Sequence, residues 1–81
     1  MNNEHVEKLK DILRASLLEE ELSINADDHL ADELGLDSIG YVDLTVKIEL
    51  TFGIVLSNRS IRAAKTFQDL VNLVSKHSAN G

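Results

Sequence analysis

The sequence predicts an all-α fold, a small four-helix bundle with three longer helices, one short helix and a long loop between the first and second. Three observations carry that expectation. Apolar residues near both ends of the chain recur at helical spacing. A central segment that alternates like a strand is too long for one and has nothing to pair with. The junctions between segments hold the serine, threonine, asparagine and glycine that start and stop helices. Eighty-one residues make one domain, 1–81, with an ordered core over about residues 4–77, and a chain this short has a stability margin of roughly 3–5 kcal/mol.

From Glu4 to Glu21, Val6, Leu9, Ile12, Leu13 and Leu17 line one face of an amphipathic helix, and Leu18 broadens the stripe. Asn3 is its expected cap, and Glu4 and Glu7 suit the positive end of the helix dipole. Residues 22–37 read as a loop rich in turn formers, where Asp27 is expected to cap a short turn that carries His29, Leu30 and Leu34 inward. The acids there lack the alternating register and the glycine of a calcium loop.

Between Ser38 and Phe52, Val42, Leu44, Val46, Ile48, Leu50 and Phe52 alternate with polar residues. The same residues also form two helical stripes: Tyr41, Leu44, Ile48 and Phe52, and Ile39, Val42, Val46 and Leu50. Eleven alternating residues exceed an ordinary strand, and Ile54-Val55-Leu56 is too short to pair with them, so a helix is expected. Gly53 follows as the residue just past its end. A surface helix needs one apolar face, so the second stripe is either deeper core or a contact surface. Contact is expected for Ile39, Val42 and Val46; for Leu50 a place in the core competes with it.

Ser57 and Asn58 open a short helix carrying Ile61, with Arg59, Arg62 and Lys65 on its polar side. Thr66-Phe67-Gln68-Asp69 reads as a capping box, and the last helix turns Phe67, Leu70, Val71 and Val74 inward before ending near Lys76-His77. Residues 78–81 are expected to fray.

Composition removes several function classes. The net charge of −6 argues against nucleic acid, whose phosphates need a basic footprint. The charge is polarised: residues 1–37 hold eleven acids against three bases, and 38–81 three acids against five bases. No apolar run reaches membrane-spanning length, and the polar start is unlike a signal peptide, so a cytoplasmic, monomeric protein is expected. With no cysteine and three dispersed histidines, His5, His29 and His77, a metal site is not expected.

The most informative stretch is Leu34-Gly35-Leu36-Asp37-Ser38-Ile39-Gly40. It places Ser38 as an exposed hydroxyl where the loop becomes a helix. A nucleophilic serine needs a base in reach and an oxyanion hole, and the nucleophile-elbow pattern is missing, so attachment fits better than catalysis. Leu-Gly-Leu-Asp-Ser-Ile resembles the attachment site of acyl carrier proteins, and the resemblance extends from about Leu30 to Val74. It implies a phosphopantetheine arm, taken from coenzyme A, on Ser38, with acyl groups held as thioesters at its end. A helix N-terminus favours the resulting phosphodiester anion by about 0.3–1 kcal/mol. It also implies a non-catalytic carrier serving a phosphopantetheinyl transferase and acyl-loading and acyl-processing enzymes of ketosynthase, acyltransferase or ligase type. The helix after the serine becomes the recognition helix, with Asp37, Ile39, Val42, Asp43 and Val46 as contacts and Arg62 on the following helix.

The pattern also departs from the fatty-acid type. The recognition helix of such carriers is acid-rich, whereas here Gly40, Lys47, Leu50 and Thr51 dilute Asp43 and Glu49, and the short third helix is basic. These differences favour a polyketide or other secondary-metabolite role over housekeeping fatty-acid synthesis. Gly40 lowers helix propensity beside the serine, which would let the arm's entrance flex. The competing readings are a peptidyl or aminoacyl carrier domain, and a helical interaction domain with no cofactor.

Overall fold

The computed structural model describes residues 3–78, with Asn3 and Ser78 by backbone alone. The expected side-chain cap at Asn3 and the expected fraying past Ser78 lie outside the described residues. Four helices follow one another: α1 (Asn3–Leu17), α2 (Ser38–Phe52), the short α3 (Asn58–Ala63) and α4 (Phe67–Ser78). The all-helical reading holds, including the central segment that alternates like a strand. Leu44 and Ile48 are fully buried, and Tyr41 and Phe52 pack against the same core. α1 and α2 run antiparallel, because His5 near the start of α1 meets Phe52 at the end of α2, ring centroids 5.1 Å apart and edge to face.

α1 stops at Leu17, four residues before the expected Glu21. Leu18 takes a left-handed φ of 58°. Its N–H donates to the Ala15 carbonyl at 3.3 Å and the Glu19 N–H to the Arg14 carbonyl at 2.9 Å. That pair of bonds is a Schellman termination, completed by Arg14 Nε donating to the Leu22 carbonyl at 2.9 Å. The acids Glu19, Glu20 and Glu21 explain why the helix ends here, since they would sit at the negative end of its dipole. Leu18 therefore does not broaden the apolar stripe; it is 89 % exposed. A left-handed backbone strains any residue with a Cβ. Leu18→Gly is expected to stabilise the fold by about 0.5–1 kcal/mol in urea unfolding, and an unchanged or lower midpoint would show the strain to be absent.

The loop between α1 and α2 is a structural layer in its own right. Ile24, Leu30 and Leu36 are buried in the common core. Its backbone is stitched to the α3–α4 junction: Leu30 N–H to the Lys65 carbonyl, Phe67 N–H to the Asp28 carbonyl and Gln68 N–H to the Ala26 carbonyl, each at 2.9 Å. The turn over residues 29–34 is capped by His29, not by Asp27, which is exposed. His29 Nδ1 accepts from the Ala31 and Asp32 N–H groups at 3.2 and 3.0 Å, while Glu33 Oε1 accepts from the His29 N–H at 2.8 Å. The carboxylate next in sequence, Asp28, instead accepts from the Asn25 N–H at 2.8 Å.

The later elements follow their sequence signals. Gly53 takes a φ of 66° and closes α2 by donating to the Glu49 carbonyl. The Ser57 hydroxyl caps α3 by accepting from the Ser60 N–H at 3.1 Å. Lys65 lies beyond α3, in the link to α4. The capping box is complete: Thr66 Oγ1 accepts from the Asp69 N–H at 3.1 Å, and Asp69 Oδ2 from the Thr66 N–H at 3.2 Å. Those backbone donors hold the Asp69 carboxyl below its ordinary value. Phe67, Leu70, Val71 and Val74 are buried as expected, joined by Leu56 and Ala64 from the junctions.

Candidate functional site

α2 begins at Ser38, but Ser38 does not cap it. Asp37, with an extended backbone, accepts the Gly40 N–H on Oδ1 at 2.7 Å and the Tyr41 N–H on its carbonyl at 2.9 Å. Ser38 is the first helical residue and is exposed, and its hydroxyl makes no hydrogen bond among the described residues. The backbone N–H groups of Ser38 and Ile39 have, by position, no acceptor within the helix. A serine at a helix start often serves as its cap, and here Asp37 fills that role.

Gly40 also stands where a side chain would crowd its neighbours. A Cβ there would stand 2.8 Å from Leu36 Cδ1 and 3.1 Å from Asp37 Oδ1. Leu36 is buried and has little room to retreat. The missing side chain thus lets the loop close tightly over the first turn, which fixes Ser38 at the rim.

The second stripe of α2 faces outward. Ile39 is 80 % exposed, Val42 54 %, Val46 48 % and Leu50 80 %, which resolves the open position of Leu50 in favour of the surface. Asp43 stands on the border of this stripe and pairs with Lys47 one turn on. The Lys47 ammonium holds the Asp43 carboxyl below its ordinary value. Its charge is therefore partly answered within the helix.

On the other flank α3 approaches. The Arg62 guanidinium lies over the Tyr41 ring, 5.7 Å from its centroid. Burial raises the Tyr41 hydroxyl pKa above its ordinary value, while Arg62 opposes that rise and Asp32 adds to it. No sequence pattern signals this contact, which joins residues of two different helices. The histidines are committed elsewhere: His5 against Phe52, His29 to its turn, and His77 Nδ1 to the Leu73 carbonyl at 3.0 Å. Among the described residues no cluster of potential metal ligands forms, and no helix is long and apolar enough to cross a membrane.

An exposed, uncommitted serine on a capped helix within a four-helix bundle is the arrangement of a carrier domain, and comparison with known proteins agrees. Residues 7–74 match the family model described as phosphopantetheine attachment site. The chain is 32 % identical over 71 residues to an acyl carrier protein of Coprothermobacter proteolyticus, covering 88 % of this chain and 87 % of that one. It is 34 % identical over 74 residues to one from Petrotoga mobilis, covering 91 % and 87 %. A solved Mycobacterium tuberculosis structure assigned to the acyl carrier proteins superposes with a TM-score of 0.82 at 28 % identity, covering 89 % of this chain and 96 % of that one. The holo acyl carrier protein of Geobacter metallireducens shares the fold, with a TM-score of 0.79 at 23 % identity and coverage of 93 % and 86 %. The chain belongs to the phosphopantetheine-attachment family and, within it, to the acyl carrier proteins. Its prosthetic group is covalently attached phosphopantetheine. The site residues fit such a group: a free hydroxyl at the rim, beside two backbone donors able to face a phosphate.

Proposed function

We propose that Ser38 is the attachment residue and that the chain acts as a non-catalytic carrier in the cytoplasm, presenting acyl thioesters to enzymes of a specialised pathway. The observation that carries this is the free hydroxyl, exposed because Asp37 has taken over the capping. In the attachment step the Ser38 oxygen forms a bond to the outer phosphorus of the coenzyme A pyrophosphate. The phosphoanhydride bond breaks, adenosine 3′,5′-bisphosphate leaves, and the serine proton passes to a base of the transferase. The chain supplies the hydroxyl and its surroundings. The arm brings the thiol that a cysteine-free sequence lacks, and tethering makes each transfer nearly intramolecular.

Partners in this reading are a phosphopantetheinyl transferase and acyl-loading and acyl-processing enzymes of ketosynthase, acyltransferase or ligase type. They meet the exposed stripe of Ile39, Val42 and Val46, with Asp37, Asp43 and Arg62 setting orientation. A polyketide or similar pathway is favoured over fatty-acid synthesis because Asp43 is answered by Lys47 while Arg59 and Arg62 stand exposed on α3. Residues 1–81 act as one monomeric carrier domain.

The test is intact mass after incubation with a transferase and coenzyme A. Wild type is expected to gain one arm and Ser38→Ala none, with the thermal midpoint of the unloaded variant unchanged because the cap is intact. Loading of the alanine variant would reassign the site, and an unloaded wild type under permissive conditions would remove the reading.

A further inference from the structure

The first turn of α2 offers an anion its helix start, but carboxylates stand nearby. Asp37 sits directly before Ser38, and Asp32 from the loop acts on the neighbouring Tyr41. A phosphodiester formed at Ser38 adds an anion between them, and the two free N–H groups of the helix start answer it only in part. A cation on this flank would answer the rest, and α3 carries one.

Tyr41 is three residues after Ser38, so the two side chains are neighbours on the helix surface, about 5–6 Å apart at Cβ. The Arg62 guanidinium lies over the Tyr41 ring, 5.7 Å from its centroid, and is thereby held against α2. Arg62 is exposed and has no carboxylate within ion-pair distance among the described residues. Arg59, also exposed on α3, makes no ring contact or ion pair among the described residues, and several other cations are placed differently. Lys47 is bound to Asp43, Arg14 to Asp11 and the Leu22 carbonyl, and Lys65 lies beyond α3. A stacked guanidinium keeps its edge donors directed outward, in the planar fork that suits a phosphate.

We propose that Arg62 is the phosphate-binding residue of this carrier, closing on the phosphodiester at Ser38 from its seat on Tyr41 and so fixing the direction in which the arm leaves the domain. This rests on Ser38 being the attachment residue. Arg62 is a positioning residue: it touches the linkage and not the thioester. It also gives the basic α3 a task within the domain, where the sequence pointed only to outside partners.

The experiment compares wild type, Arg62→Gln, Arg62→Lys and Arg59→Gln, each unloaded and loaded, with loading read by intact mass. Two further readouts are taken: the change in thermal midpoint on loading, and the phosphorus NMR shift of the arm. At low salt, loading is expected to raise the wild-type midpoint relative to Arg62→Gln by about 4 °C, and the difference should fade as the Debye length shrinks to about 3 Å near 1 M salt. Arg62→Lys recovers part of the difference, since it keeps the charge and loses the fork. Arg59→Gln behaves as wild type. The stacking on Tyr41 contributes equally to both forms, so a merely structural arginine lowers both midpoints and leaves the loading difference unmoved. Fully loaded proteins with identical loading differences and phosphorus shifts would overturn the role of Arg62 alone. A wild type that never gains the arm would overturn the serine assignment, and this inference with it.

Discussion

Ile48→Asp is expected to unfold the protein at room temperature, whereas Val46→Asp, two residues earlier on the same helix, should lower its thermal midpoint by only about 5 °C. Ile48 has no exposed surface, and burying an unpaired carboxylate costs several kcal/mol, as much as the whole margin of so small a domain. Val46 is half in solvent. An aspartate there stays hydrated, and the loss is part of one methyl-bearing side chain's burial, about 1 kcal/mol. The functional outcome is the reverse. Val46→Asp keeps its fold, accepts the arm, and slows acyl transfer to partner enzymes because the charge lands in the exposed stripe. Circular dichroism and a transfer assay on both variants decide it. Unfolding of Val46→Asp would return the stripe to the core, and an unaltered transfer rate would remove it from the partner surface.

The second large effect is expected in the loop. Leu30→Ala should destabilise the protein by about 2–5 kcal/mol, the range for deleting a buried leucine side chain. That corresponds to a midpoint drop of at least about 10 °C in a domain of this size. Leu30 is fully buried, and its backbone is bonded on both sides, its N–H to Lys65 and its carbonyl from the Leu36 N–H, each at 2.9 Å. Leu36 in turn packs under Gly40 at the start of α2. Losing Leu30 therefore loosens the support of Ser38 as well as the core, and the loaded fraction at limiting transferase should fall with stability. Leu34→Ala, at a half-buried position, is the milder control. A drop of only a few degrees for Leu30→Ala would mean the loop is a covering and not a layer of the core.

These contrasts mark where sequence was enough. The helices with one apolar stripe could be read directly, since periodicity and burial express the same geometry. The central helix was harder because its two stripes imitate a strand, and length and the lack of a partner had to decide. Local capping was legible where donor and acceptor are close in sequence, as with Thr66 and Asp69. It failed where a ring nitrogen competed with a carboxylate: His29 caps the turn expected of Asp27, and nothing in composition ranks the two. The end of α1 was overrun because Leu18 fits the stripe, although three following acids opposed the helix dipole. Ile24 and Leu36 were missed since loop residues follow no period. The Arg62–Tyr41 contact joins residues 21 positions apart on different helices, and only folding brings them together.

The substitution of Asp37 for Ser38 as helix cap has a consequence for how the molecule can be used. A serine that held the helix start would tie every change at its oxygen to the folding of the chain, and attaching or removing a group would each time disturb the element partners must recognise. Here Asp37 holds the helix start and leaves Ser38, the proposed attachment residue, outside the capping bonds. The bonds that hold the start of α2 do not involve the Ser38 oxygen, so a group attached there leaves the helix cap in place. A partner that must tell loaded from empty then has to sense the arm and the charge at its root, because the fold of the helix start is the same in both.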